Sequence, residues 1–214
     1  MTWDPRQKIP HYAEFRYPMA KRNKNNHGLS PVVRNLDRQV PIEVYSSLPK
    51  IPVTVVLDNI RSAFNVGAIF RTAECGRVQR LVTCGITAHP PNERVVRTAM
   101  GTAEYVPHEH AESAPIAVSQ ARSRGEKIIA LETTSASRSL YDPWAKQPVC
   151  LLLGNEALGL GDEVLQAADE IVEIPLLGYK NSLNVSVSFG VVLFEILRQW
   201  GELTVLPSEE LPGH

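Results

Sequence analysis

The sequence is poor in the features that mark membrane, secreted and disulfide-rich proteins. No apolar run approaches the roughly 18–20 residues that a membrane-spanning helix needs. The first residues include Asp4 and Pro5 and no apolar core, so we expect a cytoplasmic protein without a secretory signal. The three cysteines are an odd number, widely spaced among apolar neighbours. This argues against a disulfide framework or a metal site and predicts buried free thiols at Cys75, Cys84 and Cys150.

A strong net charge is absent as well, since 22 basic residues face 23 acidic ones and the formal net charge is −1. The total conceals an uneven distribution, because residues 1–50 hold nine Lys and Arg against four Asp and Glu. A basic arm on an acidic body indicates contact with a polyanion, and a solvated tail is the alternative. The polar, turn-prone residues 21–28 predict little regular structure in this arm, residues 1–50.

From residue 53 onward, short apolar runs alternate with helical patterns. A β-branched run at Val53–Leu57 is typical of a buried strand, and the other predicted strands are 80–84, 127–132, 149–153 and 170–174. Helices are predicted between the strands, at about 66–75, 92–100, 113–123 and 161–168. This alternation predicts an α/β fold over residues 51–200, with a mostly parallel sheet covered by helices on both faces.

The last predicted helix, at about 184–200, is apolar nearly all round. Such a helix must be buried on several sides, and one domain of this size seldom surrounds a terminal helix, so we expect a homodimer. Ser186, Ser188 and Gly190 would allow another element to approach closely. Residues 201–214 are expected to form a flexible tail.

A polar segment follows the first predicted strand and opens a helix. In Asn59–Ala73, Asn65 is a good helix N-cap, while Gly67 lowers helix propensity unless the backbone must approach another group closely. Arg71 lies six positions beyond Asn65. An ordinary capped helix with an exposed arginine is the alternative to a functional site.

Two later segments also follow predicted strands. Leu153–Gly161 is a glycine-rich turn, placed where parallel sheets bind ligands, but its spacing is neither the dinucleotide fingerprint nor a P-loop. Ile174–Ser186 leaves a strand at a proline and opens the apolar helix. Ser182 and Asn184 in this segment could simply be helix caps.

Together and in this order, the three segments resemble the SpoU (TrmH-like) branch of the SPOUT RNA methyltransferases. The motifs that carry the resemblance are Asn65-x-Gly67-x-x-x-Arg71, Gly154-Asn155-Glu156-x-x-Gly159 and Ser182-Leu183-Asn184-x-Ser186. The resemblance covers about residues 53–200 and leaves the arm uncovered. It implies an enzyme that moves the methyl group of S-adenosylmethionine to a ribose 2′-hydroxyl of tRNA or rRNA.

The resemblance also implies how the cofactor is held. The family threads the C-terminal part of its sheet into a deep trefoil knot, which the general rule that chains do not knot would have excluded. The knot loops would hold the cofactor in a bent shape, and the protein would be a homodimer. The residues expected at the cofactor are Gly154, Ile174, Leu176 and Leu183, with Leu131 and Glu132 at the end of the preceding strand.

Arg71 matches the family's essential arginine. An arginine is effectively always protonated, so we expect Arg71 to stabilise the attacking oxygen electrostatically or to clamp the adjacent phosphate. Catalysis by a deprotonated Arg71 acting as a base is the alternative. The residues expected to orient Arg71 and the target ribose are Asn65, Glu156, Ser182 and Asn184.

RNA contacts are expected from the arm and from the surface near Arg71. The arm candidates are Lys21, Arg22, Lys24, Arg34 and Arg38, and the surface candidates are Arg61, Arg94 and Arg97. His108 and His110 could suggest a metal, but the family needs none, and we expect a loop after a short strand there. The other functions left open are a nucleotide-binding Rossmann enzyme, an inactive SPOUT-fold RNA-binding dimer and a methyltransferase that acts on bases.

Overall fold

The computed structural model describes residues 49–203, which form a parallel sheet with helices. The strands are β1 (Ile51–Asp58), β2 (Val78–Cys84), β3 (His108–Ala111), β4 (Lys127–Leu131), β5 (Arg138–Ser139), β6 (Val149–Leu153) and β7 (Glu170–Glu173). All eight residues of β1 are buried, as expected of a central strand with both faces covered. The order across the sheet is β3-β2-β1-β6-β4-β7-β5, and the strand pairs of the described residues are all parallel.

Helices cover both faces of this sheet, which confirms the predicted α/β fold. They are α1 (Ala63–Cys75), α2 (Glu93–Ala99), α3 (Ala114–Ser123), α4 (Asp162–Ala167) and α5 (Val185–Gln199). On one face, α3 and α4 pack over a buried cluster that includes Val56, Cys150 and Leu152. The alternate residues Val55 and Leu151 point to the opposite face and are equally buried, because α1 and α5 pack against each other there.

Two glycines let α1 lie close to its neighbours. A Cβ atom on Gly67 would lie 2.5 Å from the Cβ of Thr98 on α2, and one on Gly76 would lie 2.6 Å from Cδ2 of Leu193 on α5. Gly67 therefore allows α1 and α2 to approach closely, which is the reason for a glycine that was considered from the sequence. The glycine lowers the helix propensity of α1. The tight packing on both sides fixes the position of α1 beside the sheet.

The strands β1, β6, β4 and β7 end at one edge of the sheet. Leu57 of β1 lies opposite Leu153 of β6, and Leu153 lies opposite Leu131 of β4. Leu131 in turn lies opposite Val172 of β7. The loops that carry the three motifs leave these strand ends, and parallel sheets bind their ligands at this edge.

The start of α1 differs from the prediction. Asn65 was expected to be the N-cap, but the helix begins at Ala63, and Ser62 is the cap, with its hydroxyl accepting a hydrogen bond from the Asn65 backbone N–H at 3.3 Å. The prediction was wrong because serine and asparagine are both strong caps and local propensity does not rank them. Placed in the first turn instead, Asn65 can direct its amide toward a neighbouring loop.

Two other predictions were also wrong. The expected loop at His108–His110 is strand β3, which pairs with β2 at the edge of the sheet. Its first three residues are exposed and polar, as edge strands often are, so they lack the apolar pattern of a strand. Cys84 and Cys150 are buried as predicted, but Cys75 is exposed because it lies on the solvent side of α1.

Helix α5 is buried on one side only within the described residues. Phe189, Val192 and Leu193 are fully buried, whereas Val187 is 52% exposed and Phe194 is 40% exposed. Burial on several sides, as predicted from the sequence, is therefore not achieved within residues 49–203. In the part of the chain that the structure describes, neither α5 nor another helix is long and apolar enough to cross a membrane.

The predicted arm and tail lie almost entirely outside the described residues. Of the arm, only residues 49 and 50 are described, and of the tail only residues 201–203. Both segments stay predictions.

Candidate active site

A cleft of about 590 Å³ opens at the carboxyl ends of β4, β6 and β7. Its size falls within the range of small-molecule sites in proteins. Its walls come from the ends of these strands, the turn after β6 and the segment that leads into α5. All six residues predicted to hold a cofactor line it, namely Leu131, Glu132, Gly154, Ile174, Leu176 and Leu183.

The turn after β6 is shaped by its own backbone. The side-chain oxygen of Asn155 accepts hydrogen bonds from the backbone N–H groups of Ala157 at 2.9 Å and Leu158 at 3.1 Å. Asn155 and Gly159 also exchange two backbone hydrogen bonds, of 3.1 and 2.8 Å. A Cβ on Gly154 would lie 2.6 Å from the backbone nitrogen of Leu160, so the closed turn leaves no space for a side chain there.

Glu132, just after the end of β4, contacts this turn through its carboxylate. One carboxylate oxygen accepts a hydrogen bond from the backbone N–H of Leu160 at 3.1 Å, and the other accepts one from Thr133 at 3.1 Å. Gly159 has a φ of +68°, and a Cβ there would collide with the Glu132 carboxylate. Glu132 therefore lines the cleft as predicted, and its carboxylate is hydrogen-bonded to the backbone N–H groups of Leu160 and Thr133.

Glu156 joins the turn to the start of α1. Its carboxylate accepts hydrogen bonds from the backbone N–H groups of Arg61 at 3.0 Å and Ser62 at 3.2 Å, and from the side-chain amide of Asn65 at 3.0 Å. Partial burial raises the pKa of Glu156, but the hydrogen bonds from Arg61 and Asn65 among others outweigh it and hold the pKa below its usual range. The carboxylate is therefore ionised at neutral pH, and its three donors stabilise the charged form, which makes it a poor general base.

Asn65 extends this connection to α5. Its side-chain oxygen accepts a hydrogen bond from the amide of Asn184 at 3.1 Å, and Asn184 caps α5 by accepting from the Ser186 backbone N–H at 3.0 Å. The chain Glu156–Asn65–Asn184 thus brings together three of the five predicted catalytic residues, from three separate segments. The fourth, Ser182, is exposed and lines the cleft.

Arg71 stands apart from this hydrogen-bonded chain. It lies six residues after Asn65, about 9 Å along the axis of α1 and turned toward solvent. Within residues 49–203 its guanidinium has neither a hydrogen-bond partner nor an ion-pair partner, so it remains available to an incoming anion.

Comparison with known proteins identifies the family. A model of the SpoU rRNA Methylase family matches residues 52–194. The chain belongs to the SpoU rRNA methylase family. The 23S rRNA (guanosine-2′-O-)-methyltransferase RlmB of Pseudomonas aeruginosa is 32% identical over 149 residues, which are 70% of this chain and 60% of that protein. The chain thus spans about 60% of the length of the first curated relatives that it matches.

Solved structures of RNA-modifying enzymes share the fold. The AdoMet-bound rRNA methyltransferase of Sinorhizobium meliloti superposes with a TM-score of 0.64 at 31% identity, over 68% of this chain and 56% of that one. The TrmH/SpoU tRNA modifying enzyme of A. aeolicus superposes with a TM-score of 0.67 at 26% identity, over 79% of this chain and 88% of that one. The family resemblance drawn from the three motifs is confirmed.

The predicted RNA contacts of this SpoU protein fall into two groups. Arg61, Arg94 and Arg97 are exposed, and within the described part of the chain none of them forms an ion pair. They lie before α1 and on α2, the helix that packs against α1 at Gly67. The other candidates, Lys21, Arg22, Lys24, Arg34 and Arg38, lie outside the described residues.

The sequence interpretation of this SpoU site overlooked Asn155. Besides shaping the turn, its side-chain amide donates a 2.7 Å hydrogen bond to the backbone carbonyl of Asn59, so it ties the cleft to the loop before α1. Thr87 anchors the same loop, accepting from the Ile60 N–H at 2.9 Å and donating to the Leu57 carbonyl at 3.0 Å. Asn155 lay within the second motif, so a signal was present, whereas Thr87 lies outside the three motifs, in the segment Cys84–Thr87 that also resembles the family but was given no role.

The histidines near β3 form a separate cluster in this family member. The rings of His89 and His110 stack with centroids 4.5 Å apart, and Nδ1 of His110 lies 3.0 Å from the hydroxyl of Thr83. Among the described residues, no group of three or more His, Cys, Asp or Glu side chains is placed to hold a metal ion.

Proposed function

We propose that this chain is an S-adenosylmethionine-dependent RNA methyltransferase that acts on a ribose 2′-hydroxyl. The observation that carries the proposal is the cleft at the carboxyl edge of the sheet, which is lined by all six predicted cofactor residues and tied through Glu156 to α1. Membership of the SpoU family supports it, as do relatives named as 2′-O-methyltransferases and a neighbour described as AdoMet-bound.

The cleft suits S-adenosylmethionine in size and in the character of its walls. Apolar side chains such as Leu131, Ile174 and Leu183 offer surfaces for a nucleobase. Gly154 has no side chain, so its backbone is directly accessible in the wall of the cleft. When bound, the cofactor supplies an electrophilic methyl group on a positively charged sulfur. The residues proposed to hold it are Leu131, Glu132, Gly154, Ile174, Leu176 and Leu183.

The chain's own residues then have to place and activate the ribose oxygen. An O–C bond would form as the bond from the methyl group to sulfur breaks, and the hydroxyl proton would pass to solvent water at the open cleft. The oxygen becomes more negative as it attacks, and the charged guanidinium of Arg71 stabilises that charge or clamps the neighbouring phosphate. Glu156 is engaged by its donors, so its task is to fix Asn65 and the start of α1 rather than to remove the proton. Asn184 and Ser182 orient the ribose at the mouth of the cleft.

The proposed substrate is rRNA or tRNA. One similar protein is named as a 23S rRNA methyltransferase, and another is named as a tRNA modifying enzyme. The basic arm and the arginines near α1 would bind its phosphates. We expect the protein to act in the cytoplasm, and the trefoil knot implied for the family to lie in the segments between β6 and α5.

A homodimer is part of the proposal. Leu183, just before α5, and Val187 and Phe194 on α5 are exposed apolar residues that a second copy could cover in an isologous interface. Leu183 also lines the cleft, so the partner would approach the cofactor site. Light scattering at micromolar concentration tests this point, and a monomer would contradict it.

The decisive experiment compares RNA from cells with and without this protein. Mass spectrometry of ribonucleosides should show one 2′-O-methylated nucleoside lost on deletion and restored by the wild-type gene. The Arg71→Ala variant, produced at the same level, should not restore it. Loss of a base-methylated nucleoside instead, or no change in any methylated nucleoside, would overturn the proposal.

A further inference from the structure

The two ends of the Asn155 side chain bind two different segments of the chain. Its oxygen accepts hydrogen bonds from the backbone N–H groups of Ala157 and Leu158 within the turn after β6. Because two N–H groups face the oxygen, the amide nitrogen points away from the turn. There it donates a 2.7 Å hydrogen bond to the backbone carbonyl of Asn59. One half-buried side chain therefore shapes the cofactor turn and also holds the loop before α1.

Asn59 is the point at which the chain changes direction after β1. Its φ of +54° lies in the left-handed region, which asparagine tolerates better than most residues. Its side-chain oxygen accepts a hydrogen bond from the backbone N–H of Ile86 at 3.2 Å, and its amide donates to the Asp58 carboxylate at 2.8 Å. A Cβ on Gly85 would lie 2.2 Å from Oδ1 of Asn59, so the loop after β2 packs closely against this residue. These contacts fix the direction in which the chain leaves β1.

The turn after β6 holds the chain between β1 and α1 at two points. Asn155 binds the carbonyl of Asn59, and Glu156 accepts hydrogen bonds from the N–H groups of Arg61 and Ser62. A single point of contact would leave this segment free to rotate, whereas two points also fix its orientation. Packing against α2 and α5 holds α1 beside its neighbouring helices, and the two contacts set the start of α1 relative to the cofactor turn.

We propose that Asn155 is a positioning residue for methyl transfer that acts through Asn59 on the start of α1. The inference rests on the proposed function and adds a residue to it. In that function the turn holds the cofactor, whereas Arg71 acts on the ribose oxygen from α1, so the two parts have to be aligned with each other. A misplacement of about 1 Å can slow a reaction roughly 100-fold although both reactants stay bound.

The experiment replaces Asn155 in the full-length protein by aspartate and by serine. Ionised aspartate keeps an oxygen that accepts from the turn but cannot donate to the Asn59 carbonyl. Serine also keeps an acceptor for the turn, adds no charge, and is too short to reach that carbonyl. Both variants should keep the wild-type affinity for S-adenosylmethionine in calorimetry.

The rate of methyl transfer should fall in both variants. The probe is total RNA from cells that lack the protein, and the readout is single-turnover transfer of a radiolabelled methyl group at saturating cofactor. We expect Asn155→Asp and Asn155→Ser to be roughly 10- to 100-fold slower than the wild type, at a temperature well below all melting temperatures. A loss of rate without a loss of cofactor affinity distinguishes positioning from binding.

Asn92 provides a matched control. Its side-chain oxygen also accepts two backbone hydrogen bonds, from the N–H groups of Arg94 at 3.1 Å and Val95 at 3.3 Å. Within residues 49–203, however, its amide donates to no acceptor. Asn92→Asp therefore makes the same chemical change without breaking a contact, and aspartate caps a helix as well as asparagine does. This variant should transfer methyl groups at the wild-type rate.

The proposal would be overturned by any of three results. Wild-type rates in both Asn155 variants, with only the melting temperature lowered, would make the bond to Asn59 purely structural. A loss of S-adenosylmethionine affinity that accounts for the whole loss of rate would show that Asn155 only shapes the pocket. If the wild-type protein itself transferred no methyl group to the RNA, the proposed function would fail, whereas the first two results leave it standing.

Discussion

The turn after β6 and the exposed side of α1 are two halves of one proposed site, and they are built in opposite ways. In the turn, the side chains of Asn155 and Glu156 are hydrogen-bonded to the protein itself, as is that of Glu132, which contacts the turn from the end of β4. On the exposed side of α1, Arg71 has neither a hydrogen-bond partner nor an ion-pair partner within the described residues, and Phe64 is 56% exposed. A small cofactor requires a rigid, preformed cleft, whereas a polyanion brings its own charges and needs cations left unpaired.

The hydrogen bonds of Glu156 connect the two halves. Glu156 belongs to the turn, but its donors are Arg61, Ser62 and Asn65 at the start of α1. A change in the turn should therefore reach α1, whereas a change at the exposed Arg71 should leave the turn intact. This asymmetry can be tested from both sides.

Replacement of Arg71 should give the largest effect. Arg71→Ala is expected to lower single-turnover methyl transfer by roughly 10²–10³-fold, as loss of one preorganised electrostatic group does, with cofactor affinity unchanged. Arg71→Lys should rescue poorly, because a point charge cannot replace the planar fork. The control is the melting temperature, which should not move. Near-normal transfer by a stable Arg71→Ala protein would remove Arg71 from the mechanism.

Gly154→Ala should damage the turn instead. Its Cβ would press on the backbone of Leu160, and overpacking of this kind costs about 1–3 kcal/mol, which we expect to appear as weaker binding of S-adenosylmethionine in calorimetry. Gly161→Ala in the same loop is the matched control, since its Cβ would enter open space. Equal cofactor affinity in both variants would show that the closed turn does not shape the pocket.

Deletion of residues 1–40 should affect RNA and leave the cofactor untouched. We expect RNA affinity to fall roughly tenfold at physiological salt, with a shallower dependence on salt, because fewer phosphates are neutralised. The affinity for S-adenosylmethionine, measured on the same preparation, serves as the control. If the dependence of RNA affinity on salt stayed unchanged, the arm would be a solvated tail that does not contact the phosphates of RNA.

The smallest expected effect is the contribution of Glu156 to stability as a function of pH. Its pKa is held below the usual value near 4.5 in the folded protein, so its stabilising contribution is present above that value and is lost as the pH falls through the folded pKa. Glu156→Gln should therefore lower the melting temperature at neutral pH, and the gap to wild type should close in acid. Glu112→Gln, an exposed glutamate without a hydrogen-bond partner in the described chain, should show no such gap. A gap that persists in acid would contradict the hydrogen-bonded carboxylate.

Much of the fold was predictable because its signals are local. The parallel sheet was predicted from the apolar runs at β1 and β6 and from their alternation with helical patterns. These signals depend on hydrophobic period and segment length, which can be read from neighbouring residues. Strand β3 was missed because an exposed edge strand carries no apolar alternation. The N-cap of α1 was assigned to Asn65 instead of Ser62 because serine and asparagine have similar preferences for the N-cap position.

The sequence by itself determined the residue types of the site and the strand ends that carry them. Only the tertiary structure decided their partners: that Asn65 bonds to Glu156 and Asn184 instead of capping its helix, and that Asn155 and Thr87 anchor the loop before α1. It also decided that Phe64 stays exposed while Phe70 is buried. The physical reason is that propensity and period act over a few residues, whereas hydrogen bonds such as that from Asn184 to Asn65 join groups 119 residues apart, and burial depends on which helices happen to flank a side chain.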